Sequence, residues 1–127
     1  MNMQTTSAEY LQECRNALNT EQAQSLEATE NWSHVNKQQV HLDWDALYRE
    51  LAPKLLLSQP TSPEIQEMMA RHYAIVSRFY APSRKAYIGM SIFYRENKDM
   101  EVFHNSYHPD MVEFLAEAIS AYANSNL

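Results

Sequence analysis

One glycine, Gly89, stands in this chain of 127 residues. Average usage is about 7%, and tight hairpins depend on residues that accept positive φ, with glycine foremost among them. A chain this poor in glycine lacks the turn chemistry of sheets, so it reads as all-α. Three of its five prolines sit in helix-start signals: Ser62-Pro63-Glu64, Tyr80-Ala81-Pro82-Ser83 and His108-Pro109-Asp110. Proline suits the first helical position because its missing N–H would have no intrahelical partner there and its φ is already near the helical value.

The apolar periodicity fills in the helices between these marks. A capping box from Thr6 to Glu9 is expected to open a first helix with Tyr10, Leu11, Cys14, Ala17 and Leu18 on one face. Residues 20–31 are polar and acidic, with Leu26 almost alone. They read either as an exposed helix extension or as a segment that orders only with a partner. Residues 32–41 read as a connector or short helix, after which Asp43 is expected to cap a helix carrying Trp44, Leu47, Tyr48, Leu51 and Leu55, bent or restarted at Pro53. From Ser62 the strongest period of the chain runs through Ile65, Met68, Met69, His72, Tyr73, Val76, Phe79 and Tyr80. Tyr87, Met90, Phe93 and Tyr94 mark the next helix, with Gly89 where another backbone comes close. A short segment holds Met100, Phe103, His104 and Tyr107. A last helix is expected to be capped by His108 with Pro109 at its first position, Tyr107 and Val112 forming a hydrophobic staple.

The length fits a single domain, residues 1–127, with a helical core over 43–126. No apolar run approaches the ~18 residues of a membrane span, the start lacks the basic and apolar regions of a signal peptide, and the lone Cys14 has no internal partner, so a cytoplasmic protein is expected. A net charge of −6 argues against a nucleic-acid partner, because association with a polyanion begins with repulsion. Yet between Arg71 and Asp99 six bases (Arg71, Arg78, Arg84, Lys85, Arg95, Lys98) face two acids, Glu96 and Asp99. This stretch is either a set of solvated helix faces or a place that meets an anionic ligand group, with Arg78, Arg84 and Lys85 as the candidate contacts.

The chemistry of catalysis is missing. Phosphate-cradling loops need several glycines. No serine or threonine carries a nucleophile motif, and no acid pair is singled out by spacing. His104 and His108 have an i, i+4 spacing, but the expected helix start at Pro109 separates them, so no metal and no cofactor is expected. The remaining signal is an excess of rings and thioethers in the second half: Met69, Tyr73, Phe79, Tyr80, Tyr87, Met90, Phe103 and Tyr107 among them. Helical spacing alone would explain each as core. As a group they also suit a cavity for a large amphipathic molecule, since tyrosine hydroxyls need polar outlets and methionine adapts to irregular partners.

The second half resembles the TipA-S-type antibiotic-recognition domain, found as the ligand-binding half of MerR-type multidrug regulators and in stand-alone resistance proteins that bind albicidin. The resemblance rests on Ser62-Pro63-Glu64, His72, Val76-Ser77-Arg78 running into Phe79-Tyr80, Pro82, Gly89-Met90, Tyr94, Phe103, His108-Pro109 and the Ala118-Ile119 ending, and extends loosely over 44–55. It implies a globin-like all-α domain of about five to seven helices enclosing a cleft for a peptidic or polyaromatic antibiotic, with the N-terminal part, residues 1–31, mobile until ligand binds. Thiopeptide-capturing members have a cysteine just after the Phe-Tyr pair. Here the chain reads Tyr-Ala-Pro-Ser-Arg from Tyr80 to Arg84, so covalent capture at that position is excluded. The winged helix and coiled coil of the regulators have no room in 127 residues, so the chain is not expected to act as such a regulator by itself.

These readings together predict a non-enzymatic monomer or homodimer that sequesters an albicidin-like or thiopeptide-like drug and confers resistance. The alternative is a ligand-sensing module that signals to a partner protein. The expected ligand-facing set is Trp44, Met69, His72, Tyr73, Val76, Phe79, Tyr80, Tyr87, Met90, Phe103 and Tyr107.

Overall fold

A computed structural model describes residues 7–127, and among them are six α-helices and no strand. Helix α1 spans Ala8–Ala28, α2 Lys37–Leu51, α3 Pro63–Val76, α4 Arg84–Glu96, α5 Lys98–Asn105 and α6 Met111–Asn126, with a 3₁₀ turn at Ala52–Lys54. None is long and apolar enough to cross a membrane.

Helix α4 is the axis of the domain. It packs against α1 on one side and α6 on another, and α5 folds back on it. Its sequence allows this because buried residues run around much of its circumference: Ala86, Tyr87, Ile88, Gly89, Ser91, Ile92 and Tyr94. The expected close approach at Gly89 is there. A Cβ on this residue would lie 2.3 Å from the carbonyl oxygen of Cys14 on α1. Cys14 itself is fully buried in that seam, and burial raises its thiol pKa.

Several helix boundaries differ from the sequence reading, each for a local reason. Residue 6, and with it the Thr6–Glu9 capping box, lies outside the described residues; the cap of α1 is Ser7, whose hydroxyl accepts the N–H of Tyr10 at 3.0 Å. Residues 20–28 continue α1 as an exposed extension. Asp43 does not cap α2: Asn36 does, accepting from the N–H of Gln39 at 3.1 Å. The first turn of α2 is Lys37-Gln38-Gln39, exposed and polar, so apolar periodicity carries no sign of it. Helix α3 stops at Val76, so Phe79 and Tyr80 lie beyond it in a loop that curls back through hydrogen bonds from both their N–H groups to the Val76 carbonyl. Pro63 is at the start of α3 as expected, whereas Pro82 precedes the true cap of α4, Ser83, which accepts from Ala86 N–H at 3.2 Å. At the last junction the α-helix is established only from Met111. His108 still has a capping role, its Nδ1 accepting the Asp110 N–H at 3.1 Å, while Asn105 Oδ1 takes the Val112 N–H at 3.0 Å.

With no glycine to end α1, the chain turns through three left-handed residues, Glu30, Asn31 and Trp32, at φ 53°, 60° and 61°. Side chains hold the turn. Thr29 Oγ1 accepts from Trp32 N–H at 3.1 Å, and the Trp32 indole N–H donates to Ser25 Oγ at 2.8 Å. A left-handed conformation costs an L-residue about 1–2 kcal/mol, whereas glycine loses about 0.5–1 kcal/mol through its freer unfolded chain. Glu30→Gly is therefore expected to stabilise the domain by about 0.5–1 kcal/mol. The check is a urea midpoint displaced upward at unchanged slope.

Candidate functional site

The left-handed turn brings Trp32 to the loop beyond α3, where its ring meets Phe79 edge to face at 4.9 Å between centroids. Phe79 also lies nearly parallel to Trp44, 14° between planes at 6.3 Å. These rings form one wall of a cavity of about 270 Å³. Helix α1 contributes Leu18 and Gln22, and α2 contributes His41, Trp44 and Tyr48. Val76, Phe79 and Tyr80 come from the end of α3 and the loop beyond it. Met90, Phe93 and Tyr94 of α4, with Met100, Phe103 and His104 of α5, complete the lining. Phe93 and Phe103 remain 45% and 42% exposed and mark the open side.

The floor is a buried hydrogen-bond chain whose direction can be deduced from one end. His104 Nδ1 is 2.7 Å from the carbonyl oxygen of Met100, which can only accept, so the proton is on Nδ1. Burial disfavours the charged form of both histidines: the pKa of His104 is lowered, and that of His72 is lowered to about 3. His104 Nε2 is then bare and takes the Tyr48 O–H at 3.1 Å; the same oxygen receives His72 Nε2–H, also at 3.1 Å. His72 Nδ1 in turn accepts from the Tyr87 O–H at 2.8 Å. Every donor in the chain has an acceptor. Both imidazoles are neutral, fixed in tautomer, and committed to the protein.

Of the eleven residues the sequence points to, Trp44, Val76, Phe79, Tyr80, Met90 and Phe103 share this cavity. The other five do not line it. Met69 is fully buried core, and His72 and Tyr87 belong to the chain beneath the floor. Tyr73 packs on Tyr87 and donates to the Pro82 carbonyl at 2.5 Å, and Tyr107 donates to Asp45 at 2.7 Å in a separate, polar surface depression. None of the expected anion contacts reaches the cavity. Arg78 is paired with Asp43 at 2.6 Å; Lys85 is paired with Glu13 and lies over the Tyr10 ring; Arg84 is exposed. Arg71, Arg78 and Lys85 are answered by acids from α1 and α2, which lie far away in sequence, Arg95 by Glu113 of α6 and Lys98 by the nearby Glu101.

Among the described residues the lining contains no Asp, Glu, Lys or Arg. Sequence reasoning missed Leu18, Tyr48, Phe93, Tyr94, Met100 and His104 because helical spacing assigns them to the core, and Gln22 and His41 because their segments read as surface. Trp32 was the available signal: a tryptophan alone in a polar stretch needs something to cover.

An all-helical domain built round a ring-lined cavity has the form of a small-molecule-binding domain. The chain is a member of the TipAS antibiotic-recognition domain family, whose model matches residues 8–122, and its globin-like helical fold is that family's. Comparison with curated proteins and with solved structures gives no significant match.

Proposed function

We propose that this domain binds a large aromatic antibiotic or a related natural product reversibly, leaves it chemically unchanged, and confers resistance by lowering its free concentration. Albicidin-like aromatic oligoamides are the first choice of ligand and thiopeptides the second. The observation that carries the reading is the uncharged aromatic cavity within an antibiotic-recognition domain. Its volume of about 270 Å³ is at the lower edge of ligand sites. A long oligoamide would therefore insert one or two rings and lie along the exposed edges of Phe93 and Phe103 with the rest. Reversibility follows from the position of the thiol, since Cys14 is fully buried and does not line the cavity.

The alternative, a ligand-sensing module that signals to a partner, has one observation in its favour. Leu56 and Leu57, after the 3₁₀ turn, are 80% and 84% exposed side by side. Changing both to serine should abolish binding to such a partner and leave drug affinity untouched.

A thermal-shift series with albicidin, a thiopeptide and a hydrophobic dye tests the main reading. A ligand at one hundred times its dissociation constant stabilises the fold by about 2.7 kcal/mol, several degrees in melting temperature. Mass spectrometry should then recover the drug intact and the protein without an adduct on Cys14. Phe79→Ala should weaken binding by at least ~1 kcal/mol, because the ring is held between Trp32 and Trp44 in the wall. Tyr107→Phe, outside the cavity, should not change affinity. Equal effects of the two substitutions would place the ligand elsewhere.

A further inference from the structure

Resting on that reading of the cavity, we infer that its ligand is recognised through a neutral hydrogen-bond acceptor, of the aryl-amide carbonyl type, which takes the Trp44 indole N–H and the Tyr80 hydroxyl. Both groups line the cavity, and both polar atoms are buried without a hydrogen-bond partner in the protein. Buried polar groups in folded proteins are nearly always paired, so two such donors in one cavity mark the positions where a ligand supplies acceptors. The contrast with the floor is informative. Tyr48, His72, Tyr87 and His104 are buried more deeply still, and their polar atoms are satisfied by one another and by the Met100 carbonyl. The protein therefore spends its internal partners on the floor and leaves the wall donors for the ligand.

Three observations make the acceptor neutral. Among the described residues no Lys or Arg lines the cavity, so a carboxylate inserted there would lose its hydration without gaining a permanent counter-charge. Arg78, two residues before Tyr80, and Lys85 are paired with Asp43 and Glu13, and Arg84 does not line the cavity. Burial, and after it the Glu21 carboxylate, which is fixed by the N–H and hydroxyl of Ser83, raises the pKa of the Tyr80 hydroxyl to about 12. The same negative field that keeps the phenol protonated repels an anion placed against it. A ligand cation would offer these donors nothing to accept. Within the oligoamide class, the inserted end is thus an amide-linked, uncharged aryl unit, and any acidic end stays outside.

Three probes of similar shape test this: benzanilide, its 4-carboxylate derivative, and stilbene, which lacks the acceptor. Dissociation constants are measured on the whole chain and on Trp44→Phe and Tyr80→Phe, with urea stability alongside. Benzanilide should bind the unaltered protein more tightly than either comparison probe, and each substitution should weaken it about three- to tenfold, the worth of one hydrogen bond, while changing stilbene less than twofold. Without ligand, Tyr80→Phe should be as stable as the unaltered protein or more so, because it removes a buried hydroxyl that has no partner. Tighter binding of the carboxylate, equal loss of benzanilide and stilbene, or a clear loss of unliganded stability in Tyr80→Phe would each overturn the inference while leaving an aromatic-binding cavity in place. Failure of all three probes and of the drugs themselves to bind would overturn the ligand-binding reading, and this inference with it.

Discussion

Replacing Gly89 with alanine should destabilise the domain by about 2 kcal/mol, although helix propensity alone predicts a gain. Alanine is better than glycine inside a helix by about 1 kcal/mol. Against this stands the seam between α1 and α4. An added methyl carbon would lie 2.3 Å from the Cys14 carbonyl oxygen, 2.9 Å from its carbonyl carbon and 3.1 Å from Leu18 Cβ. The first two are backbone atoms in the interior of a helix and cannot rotate away, so α1 must move bodily. Overpacking of this kind costs about 1–3 kcal/mol and more where the backbone is the obstacle, so sterics outweigh propensity. The displacement also reaches the cavity, because Leu18 and Gln22 on α1 form part of its lining. Urea denaturation of Gly89→Ala and Gly89→Ser should show a midpoint lower than that of the unaltered protein, with drug affinity reduced in parallel. Unchanged or increased stability would mean that the two helices are not held at this spacing.

The same residue shows what the sequence makes legible. A single glycine points to helices throughout, and its location in the middle of an aromatic helix points to a close crossing; both are properties of one position and need no knowledge of the partner. Pro63 is equally local, and its helix starts where expected. The cavity is less legible because it is assembled from five helices. Val76, Phe79, Tyr80 and Met90 could be found from one stretch of chain, but Gln22, Trp32 and His41 come from segments whose sequence is polar, and Leu18 from a stripe that reads as core, and their contribution exists only once the helices have packed together. The misplaced cap of α2 has the same origin, since an exposed first turn leaves no apolar period and Asn36 must be recognised by its side chain alone. The choice between solvated faces and anion contacts stayed open in the sequence for a related reason: Arg78 and Lys85 look available when counted along the chain, and their acids, Asp43 and Glu13, approach only in the tertiary structure. Tyr73, Tyr87 and Tyr107 were expected at the ligand because each hydroxyl needs an outlet, but Pro82, His72 and Asp45 supply those outlets within the protein.

Acid should destabilise this domain well before its carboxylates titrate. His72 is fully buried and its folded pKa is lowered to about 3, against about 6.5 in an unfolded chain. A depressed histidine pKa means that the unfolded state takes up a proton that the folded state refuses. Stability is therefore at its full value above pH ~6.5 and is lost as the pH falls from there toward ~3, by about 1.4 kcal/mol per unit for one such group. At pH 4.5 His72 alone accounts for roughly 2–3 kcal/mol, a large part of a stability that for a domain of this kind is about 5–15 kcal/mol. His104, whose pKa is also lowered by burial, adds in the same direction. The carboxylates of Asp43, Asp45, Glu50 and Glu96 have pKa values lowered chiefly by hydrogen bonds to Arg78, Arg49, Arg71 and Arg15, so their loss comes only at lower pH and the interval from 6.5 to 4.5 isolates the histidines. Urea midpoints should fall steeply across that interval, and the slope against pH should flatten in His72→Gln even though that variant starts less stable. An imidazole resonance of His72 that titrates near 6.5 in the folded protein would sink the argument. Tyr48 and His104 are both floor of the cavity and links of the buried chain, and the folded state keeps that chain neutral while stability falls, because it is the unfolded state that takes up the proton. Drug affinity for the folded protein should accordingly hold across the interval in which stability falls, for a ligand that does not itself titrate there.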